Sequence, residues 1–166
     1  DLLLKDFQKA TEGGFDAIDF RYLHFWQDHS HIAINKKWYP QEIRAVKLNS
    51  KIESWGDAQS FQNHKSVYHS NARIFHYGHV RNKNSYKEKK KDILKLYHSD
   101  SKMKKYQKRE KRFDNQTRCL KYLGPHPLLM KERILELGDE FSWPSSDVVH
   151  IVGNKNDYSE EYLSTI

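Results

Sequence analysis

The sequence predicts an α/β domain made of short mixed strands, an opening helix and a long basic helical segment. Three observations support this. Apolar residues recur at near-helical spacing at the N-terminus, aromatic and β-branched runs alternate with turn residues after it, and lysine and arginine concentrate between residues 82 and 113. A chain of 166 residues that is 37% hydrophobic can bury one core, so we expect a single domain or a fragment of one. Because it begins with Asp1 inside a helical pattern, we expect a piece of a longer protein.

The first half predicts one helix followed by strands. Leu2, Leu3, Leu4 and Phe7 indicate a helix over residues 2–10, which Gly13-Gly14 would end. Aromatic and β-branched residues then indicate short strands joined by turns, namely at residues 15–26, 32–34, 43–46 and 72–77, the last closed by Gly78.

The second half predicts mostly helix. Residues 82–112 indicate a long, solvated helix or helical hairpin, with Ile93, Leu94, Leu96, Tyr97, Met103 and Tyr106 as its apolar contacts. His126-Pro127 would open a helix over 127–137, because proline is tolerated in a first turn. A final strand is expected over 148–153.

The net charge of +7 comes from one segment. Residues 82–113 carry 13 Lys or Arg against four acidic residues, a net charge of +9, which identifies a basic helical insertion. No run approaches the roughly 20 apolar residues of a membrane-spanning helix, and the single cysteine, Cys119, cannot form an internal disulfide. These features favour a cytoplasmic protein. Contact of the basic segment with the inner face of an anionic membrane would fit them as well.

Five stretches occur in an order typical of one enzyme family. They are Tyr22–Phe25 (YLHF), Trp38–Arg44 (WYPQEIR), Trp55–Phe61 (WGDAQSF), Ile74–Arg81 (IFHYGHVR) and His126–Ile134 (HPLLMKERI). On these stretches the chain resembles the bacterial family 2 glycosyltransferases over about two thirds of its length. It departs from the family at Ser60, where relatives usually have glycine, and at His79, where they have tryptophan.

The resemblance implies the acceptor-side half of a GT-A-like domain, which moves a sugar from a nucleotide-sugar donor to an acceptor hydroxyl. The nucleotide-binding strands and the Asp-x-Asp metal motif of the other half do not occur in this sequence. The resemblance also implies that Asp57 is the general base and that His76 completes the shell of a divalent metal, Mn²⁺ or Mg²⁺. Lipid-linked and cell-envelope glycans are the candidate acceptors.

The residue types suit these roles, and each also has a structural alternative. Asp57 follows Gly56, which lets a backbone approach closely, but an aspartate before Ala-Gln-Ser-Phe would equally cap a helix starting at Ala58. His76 could offer a neutral nitrogen to a metal, with Mn²⁺ favoured over Mg²⁺, or could be a core histidine bonded to a carbonyl.

The same choice applies to the donor and sugar contacts. Arg81 and His79 are candidates for the donor diphosphate, and a surface salt bridge is the alternative for Arg81. Arg44 would pair with a buried carboxylate or reach into the site. Aromatic faces suit sugar C–H groups but more often belong to the core; the candidates for acceptor or sugar contact are Trp38, Tyr39, Trp55 and His24.

Two other functions compete with sugar transfer. The basic segment, with Tyr86, Tyr97 and Tyr106, could bind nucleic acid, although a lysine run on a helix is usually a solvated face and we expect no specific nucleic-acid partner. The second competing function is that of a binding module that has the fold of the enzyme but no catalytic activity. The Asn-Lys-Asn-Asp run at 154–157 imitates a guanine-binding motif, but the chain has no phosphate-binding glycine loop to accompany it.

Overall fold

The computed structural model describes residues 2–35, 38–48, 51–56, 60–97, 102, 105, 117–137 and 149–150. It is a mixed α/β structure with a mainly antiparallel sheet. This agrees with the α/β class predicted from the sequence. The chain divides into two compact units: unit 1 is Asp1–Leu23 with Tyr39–Phe75, and unit 2 is His24–Trp38 with His76–Ile166. Within the described residues, no helix is both long and apolar enough to cross a bilayer.

Unit 1 begins with helix α1, Leu2–Glu12, which the apolar spacing predicted. The helix ends as expected at the glycine pair. Gly14 has a φ of 73°, its N–H donates to the carbonyl of Thr11, and the N–H of Phe15 donates to the carbonyl of Ala10. A residue with positive φ after the last helical turn, together with these two backbone hydrogen bonds, forms a Schellman cap. Glycine adopts this conformation without steric cost.

A buried carboxylate attaches α1 to strand β6, Val67–His79. Asp6 is 1% exposed and accepts hydrogen bonds from Ser70 Oγ at 2.7 Å and from the N–H of Asn71 at 2.8 Å. Burial raises the pKa of Asp6, but these hydrogen bonds outweigh it and hold the pKa below its ordinary value. The carboxylate therefore accepts hydrogen bonds from polar groups in the first part of β6.

The strands of unit 1 complete a small apolar core. β1, Ala17–Trp26, pairs antiparallel with β3, Gln41–Val46, from Ala17↔Val46 to Arg21↔Gln41. β4, Glu53–Trp55, and β5, Ser60–Gln62, form a separate antiparallel pair. Alternate residues of β1 pack on α1, and the core cluster consists of Ala10, Ile18 and Phe20 with Phe15, Ala45, Tyr68, Ala72 and Ile74 against it.

Unit 2 contains the remaining elements. β2, His31–Ala33, pairs antiparallel with β7, Arg118–Lys121, and β7 pairs parallel with β8, Val149–His150. This unit also contains two helices, α2, which is Lys83–Tyr97, and α3, which is Leu128–Leu137. Asn82 caps α2 by accepting the N–H of Ser85 at 2.9 Å. The core of this unit consists of Trp26, Ala33, Trp38, Tyr86 and Cys119.

Three expectations need correction. β6 is not closed by Gly78, because it begins at Val67 and continues through His79. Strands β4, β5 and β7 were not predicted. The apolar contacts expected for the basic segment omitted Tyr86, which is 3% exposed and anchors α2 in the core, and wrongly included Leu96, which is 78% exposed. Most of 98–112, and 151–153 of the expected last strand, lie outside the described residues.

Candidate functional site

A cluster of three histidines lies in unit 2. His24 is near the end of β1, and His76 and His79 are at the end of β6. His24 is 1% exposed, and its Nδ1 lies 2.9 Å from Nδ1 of His76. A nitrogen–nitrogen hydrogen bond needs one donor and one acceptor, so the pair holds a single hydrogen between these two atoms. The two imidazoles cannot both be fully protonated in this arrangement.

The direction of that hydrogen bond decides what His76 can do. If His76 donates from Nδ1, its Nε2 keeps a lone pair in the neutral ring; if His24 donates, Nε2 of His76 carries the hydrogen. Nε2 lies against Gly78, because a Cβ built on Gly78 would sit 2.6 Å from it. The absent side chain of Gly78 is therefore what leaves room for the His76 ring.

Burial keeps the ring of His79 neutral. Its ring centroid is 5.3 Å from that of His76, and its Nδ1 is buried with no hydrogen-bond partner among the residues that the structure describes. Burial, together with the positive charges of His76 and Lys89, lowers the pKa of His79 to about 3. The ring is therefore neutral at physiological pH.

Tryptophan packing holds the three rings in place. Trp38 is buried, with its centroid 5.1 Å from that of His24 and 4.8 Å from that of His79. Trp26 packs edge-on against Trp38 at 5.4 Å. The structure thus places Trp38 in the core, as the structural alternative for this residue requires, and gives His24 a core position beside it.

Helix α2 adds cationic groups to the cluster. Tyr86 packs edge-on against Trp26 with centroids 5.3 Å apart, and Lys89 Nζ donates to the carbonyl of Gly78 at 3.4 Å. Burial and the positive charge of Arg81 lower the pKa of Lys89. Sequence reasoning missed Lys89 and Tyr86. The eight-residue separation of the buried residues Tyr86 and Leu94, two helical turns, was the available signal.

A second cluster in unit 2 was also missed. The Tyr77 hydroxyl and His126 Nδ1 are 2.7 Å apart, and Phe25 stacks on Tyr77 with centroids 4.6 Å apart. Burial raises the pKa of Tyr77 above its ordinary value and lowers that of His126, whose ring also bonds the backbone of His29. Both groups are neutral at physiological pH, and the His126 tautomer sets which of the two donates the hydrogen. The histidine of the fifth motif thus has a fully bonded structural environment.

The remaining predicted residues belong to unit 1. Tyr39 is 40% exposed and packs edge-on against Tyr22, and Trp55, at the end of β4, is 60% exposed. The expectation that Trp55 belongs to the core is therefore wrong. Arg44 donates to the Tyr22 hydroxyl and pairs with the largely buried carboxylate of Glu42, as the structural alternative expected.

Asp57 lies outside the described residues, but its neighbours correct one expectation. Trp55 pairs with Ser60 in the β4–β5 ladder, and Gly56 has a φ of 63°. Ser60 and Phe61 are therefore in a strand, so the alternative in which Asp57 caps a helix through Ala-Gln-Ser-Phe is wrong. The general-base role stays a prediction.

A small cavity in unit 1 is separate from these residues. It has a volume of about 140 Å³ and lies between α1, the start of β1 and the end of β3, with Phe7, Phe15 and Val46 in its wall. None of the candidate site residues lines it. Its position gives no support to a role in the predicted chemistry.

The fit to a divalent metal rests on His76. In the described part of the chain no group of three or more His, Cys, Asp or Glu is placed to hold a metal ion. A single imidazole nitrogen from this chain is compatible with the resemblance, which places the remaining ligands elsewhere. In the tautomer in which His76 donates its Nδ1 hydrogen to His24, His76 meets the usual requirement that a ligating histidine be oriented by a second hydrogen bond.

Comparison of the chain with models of known protein families, with curated protein sequences and with solved structures finds no match to any of them.

Proposed function

We propose that this chain is the acceptor-side part of a glycosyltransferase that moves a sugar from a nucleotide-sugar donor to an acceptor hydroxyl. The observation that carries the proposal is the meeting of His24, His76 and His79 in one cluster, with the 2.9 Å contact between the first two. His24 comes from one stretch of the sequence resemblance, Tyr22–Phe25, and His76 and His79 come from another, Ile74–Arg81.

In this proposal His76 provides one ligand of a divalent metal through Nε2, and His24 orients it. The metal, when bound, neutralises charge on the donor diphosphate. Mn²⁺ suits an imidazole ligand better than Mg²⁺, which prefers oxygen. Arg81 and His79 follow His76 in the chain and provide contacts to the donor diphosphate. The guanidinium of Arg81 suits this role because it matches phosphate oxygens in a planar fork.

The acceptor is activated by Asp57, which removes the hydroxyl proton as the oxygen attacks the sugar. The rings of Trp55 and Tyr39 are 60% and 40% exposed and can stack on sugar C–H faces. Trp38 has no such surface. Sugar contact is therefore assigned to Trp55 and Tyr39 among the aromatic candidates.

The position of Tyr86 argues against a nucleic-acid-binding module. This tyrosine is buried against Trp26 and cannot stack on a base. The exposed lysines of α2, among them Lys87, Lys91 and Lys95, are instead proposed to contact an anionic membrane surface at the cytoplasmic side, where lipid-linked acceptors would lie.

The test is sugar transfer by the full-length protein, with a panel of nucleotide sugars and with Mn²⁺ or a chelator. We expect Asp57→Asn to lower turnover by about 10²- to 10⁴-fold with near-normal donor affinity and melting. His76→Ala should abolish the Mn²⁺ dependence of donor binding.

His69→Ala is the matched control, because His69 lies on the same strand with its side chain 74% exposed. Transfer from no donor would contradict the proposal as a whole. Near-wild-type turnover in Asp57→Asn would remove that residue from the chemistry.

A further inference from the structure

The inner face of α2 differs from the solvated face expected of a lysine-rich helix. Tyr86 is buried in the tryptophan cluster, and Lys90 Nζ lies 4.7 Å from the centre of the Tyr86 ring. Lys89 is half-buried and its ammonium reaches the carbonyl of Gly78 at 3.4 Å. The first two turns of the helix are thus fixed against the end of β6 rather than free in solvent.

This packing brings like charges together. The ammonium of Lys89 is close enough to Arg81 for their positive charges to disfavour each other, and Lys89 and Lys90 both act on His79. Of the acidic residues of α2, Glu88 is exposed and Asp92 lies 3.6 Å from Lys95. Convergent cations at a half-buried position are stabilised when an anion binds between them.

We propose that Lys89 and Arg81 together bind the diphosphate group of the donor and of the nucleoside diphosphate that leaves. This inference rests on the proposed function and adds a binding residue from the basic segment, which sequence reasoning left outside the site. In the transfer step the acceptor oxygen bonds to the anomeric carbon of the sugar, and the bond from that carbon to the diphosphate oxygen breaks. The electron pair of the broken bond stays on the diphosphate oxygen, while the acceptor proton passes to Asp57. A fixed ammonium and a guanidinium stabilise the charge that develops there.

The geometry distinguishes Lys89 from its neighbours on the helix. Lys87 and Lys91 are exposed, whereas Lys89 is held at the strand end by the Gly78 carbonyl. Lys87→Met is therefore a matched control, since it removes the same charge from the same helix. Lys89→Arg keeps the charge and tests whether loss of charge, rather than of packing, explains an effect.

The experiment measures binding of inorganic pyrophosphate and of nucleoside diphosphates to the full-length protein by calorimetry, in Mn²⁺ at fixed ionic strength. Lys89→Met should weaken pyrophosphate binding about tenfold or more, because a charged hydrogen bond is lost. Lys87→Met should change it less than about twofold, as distant exposed charges are screened. Lys89→Arg should recover most of the affinity. A nucleoside diphosphate that binds more tightly than pyrophosphate, with the same loss in Lys89→Met, would identify the nucleotide as the source of the diphosphate.

Equal weakening by Lys87→Met and Lys89→Met would overturn the inference, because it would show a general charge effect. Absence of pyrophosphate binding by the wild type would overturn it as well. The two proposals fail separately. If pyrophosphate binding depends on Lys89 but no donor supports sugar transfer, the enzymatic function is wrong and the anion site stands. If sugar transfer occurs and the donor KM is unchanged in Lys89→Met, the enzymatic function stands and the anion site is wrong.

Discussion

The lowered pKa of His79 predicts that the folded state loses stability on mild acidification. Its pKa is lowered from 6.5 to about 3. In the unfolded chain the same imidazole takes up a proton as the pH falls through 6.5, while in the folded chain it stays neutral. The unfolded state therefore binds more protons between these values, so the contribution of His79 to stability is fully present above pH 6.5 and is lost progressively as the pH falls towards 3.

The size of the effect follows from the two pKa values. Between pH 7.5 and pH 5 the unfolded histidine becomes almost fully protonated and the folded one does not, which corresponds to about 2 kcal/mol at 1.4 kcal/mol per pH unit. A loss of this size is a large part of the stability of an ordinary domain, which is about 5–15 kcal/mol.

The assay is urea denaturation at several pH values from 7.5 to 5, for the wild type and for His79→Gln. The free energy of unfolding of the wild type should fall by about 2 kcal/mol more than that of the variant over this range. Parallel pH profiles for the wild type and His79→Gln would refute the reasoning.

Two further predictions concern the strand end and the basic helix. Gly78→Ala should displace the His76 ring, which a Cβ would approach to 2.6 Å, and weaken Mn²⁺-dependent donor binding by about tenfold or more. Gly14→Ala, where a Cβ meets nothing within 4 Å, should cost only about 1 kcal/mol of stability for its positive φ and leave donor binding unchanged; equal donor affinity in both variants would contradict the role of Gly78. The full-length protein should float with phosphatidylserine vesicles and not with neutral ones, and the difference should shrink at high salt and in Lys87→Gln/Lys91→Gln. Flotation that is indifferent to anionic lipid or to salt would exclude the membrane contact.

Local sequence patterns predicted best the features that depend on neighbouring residues. Helix α1 and its glycine stop are confirmed because both depend on neighbouring residues alone. β6 was predicted too short because its first residues, around Ser70 and Asn71, are polar and are satisfied by Asp6, more than sixty residues away. Hairpin β4–β5 was missed because it has few buried side chains and therefore no alternating pattern.

The histidine cluster shows the same division between local and distant information. His76 and His79 are three apart, so strict strand alternation would place them on opposite faces. The backbone turns here instead, with the N–H of Val80 bonded to the carbonyl of Tyr77, and the two rings lie 5.3 Å apart. The contact of His24 with His76 depends on pairing between distant strands, and only the family resemblance suggested that they belong together.

The attachment of α1 through Asp6 has a consequence for which substitutions the fold tolerates. The carboxylate faces inward, while Leu2, Leu3, Leu4 and Phe7 are between 39% and 68% exposed. A polar replacement at Leu4, the most exposed of these positions at 68%, removes little buried area and should be accepted, whereas position 6 requires an acceptor of fixed length and charge. At these two positions the usual pattern of tolerance to substitution is therefore inverted: the aspartate is constrained and the leucine can be replaced.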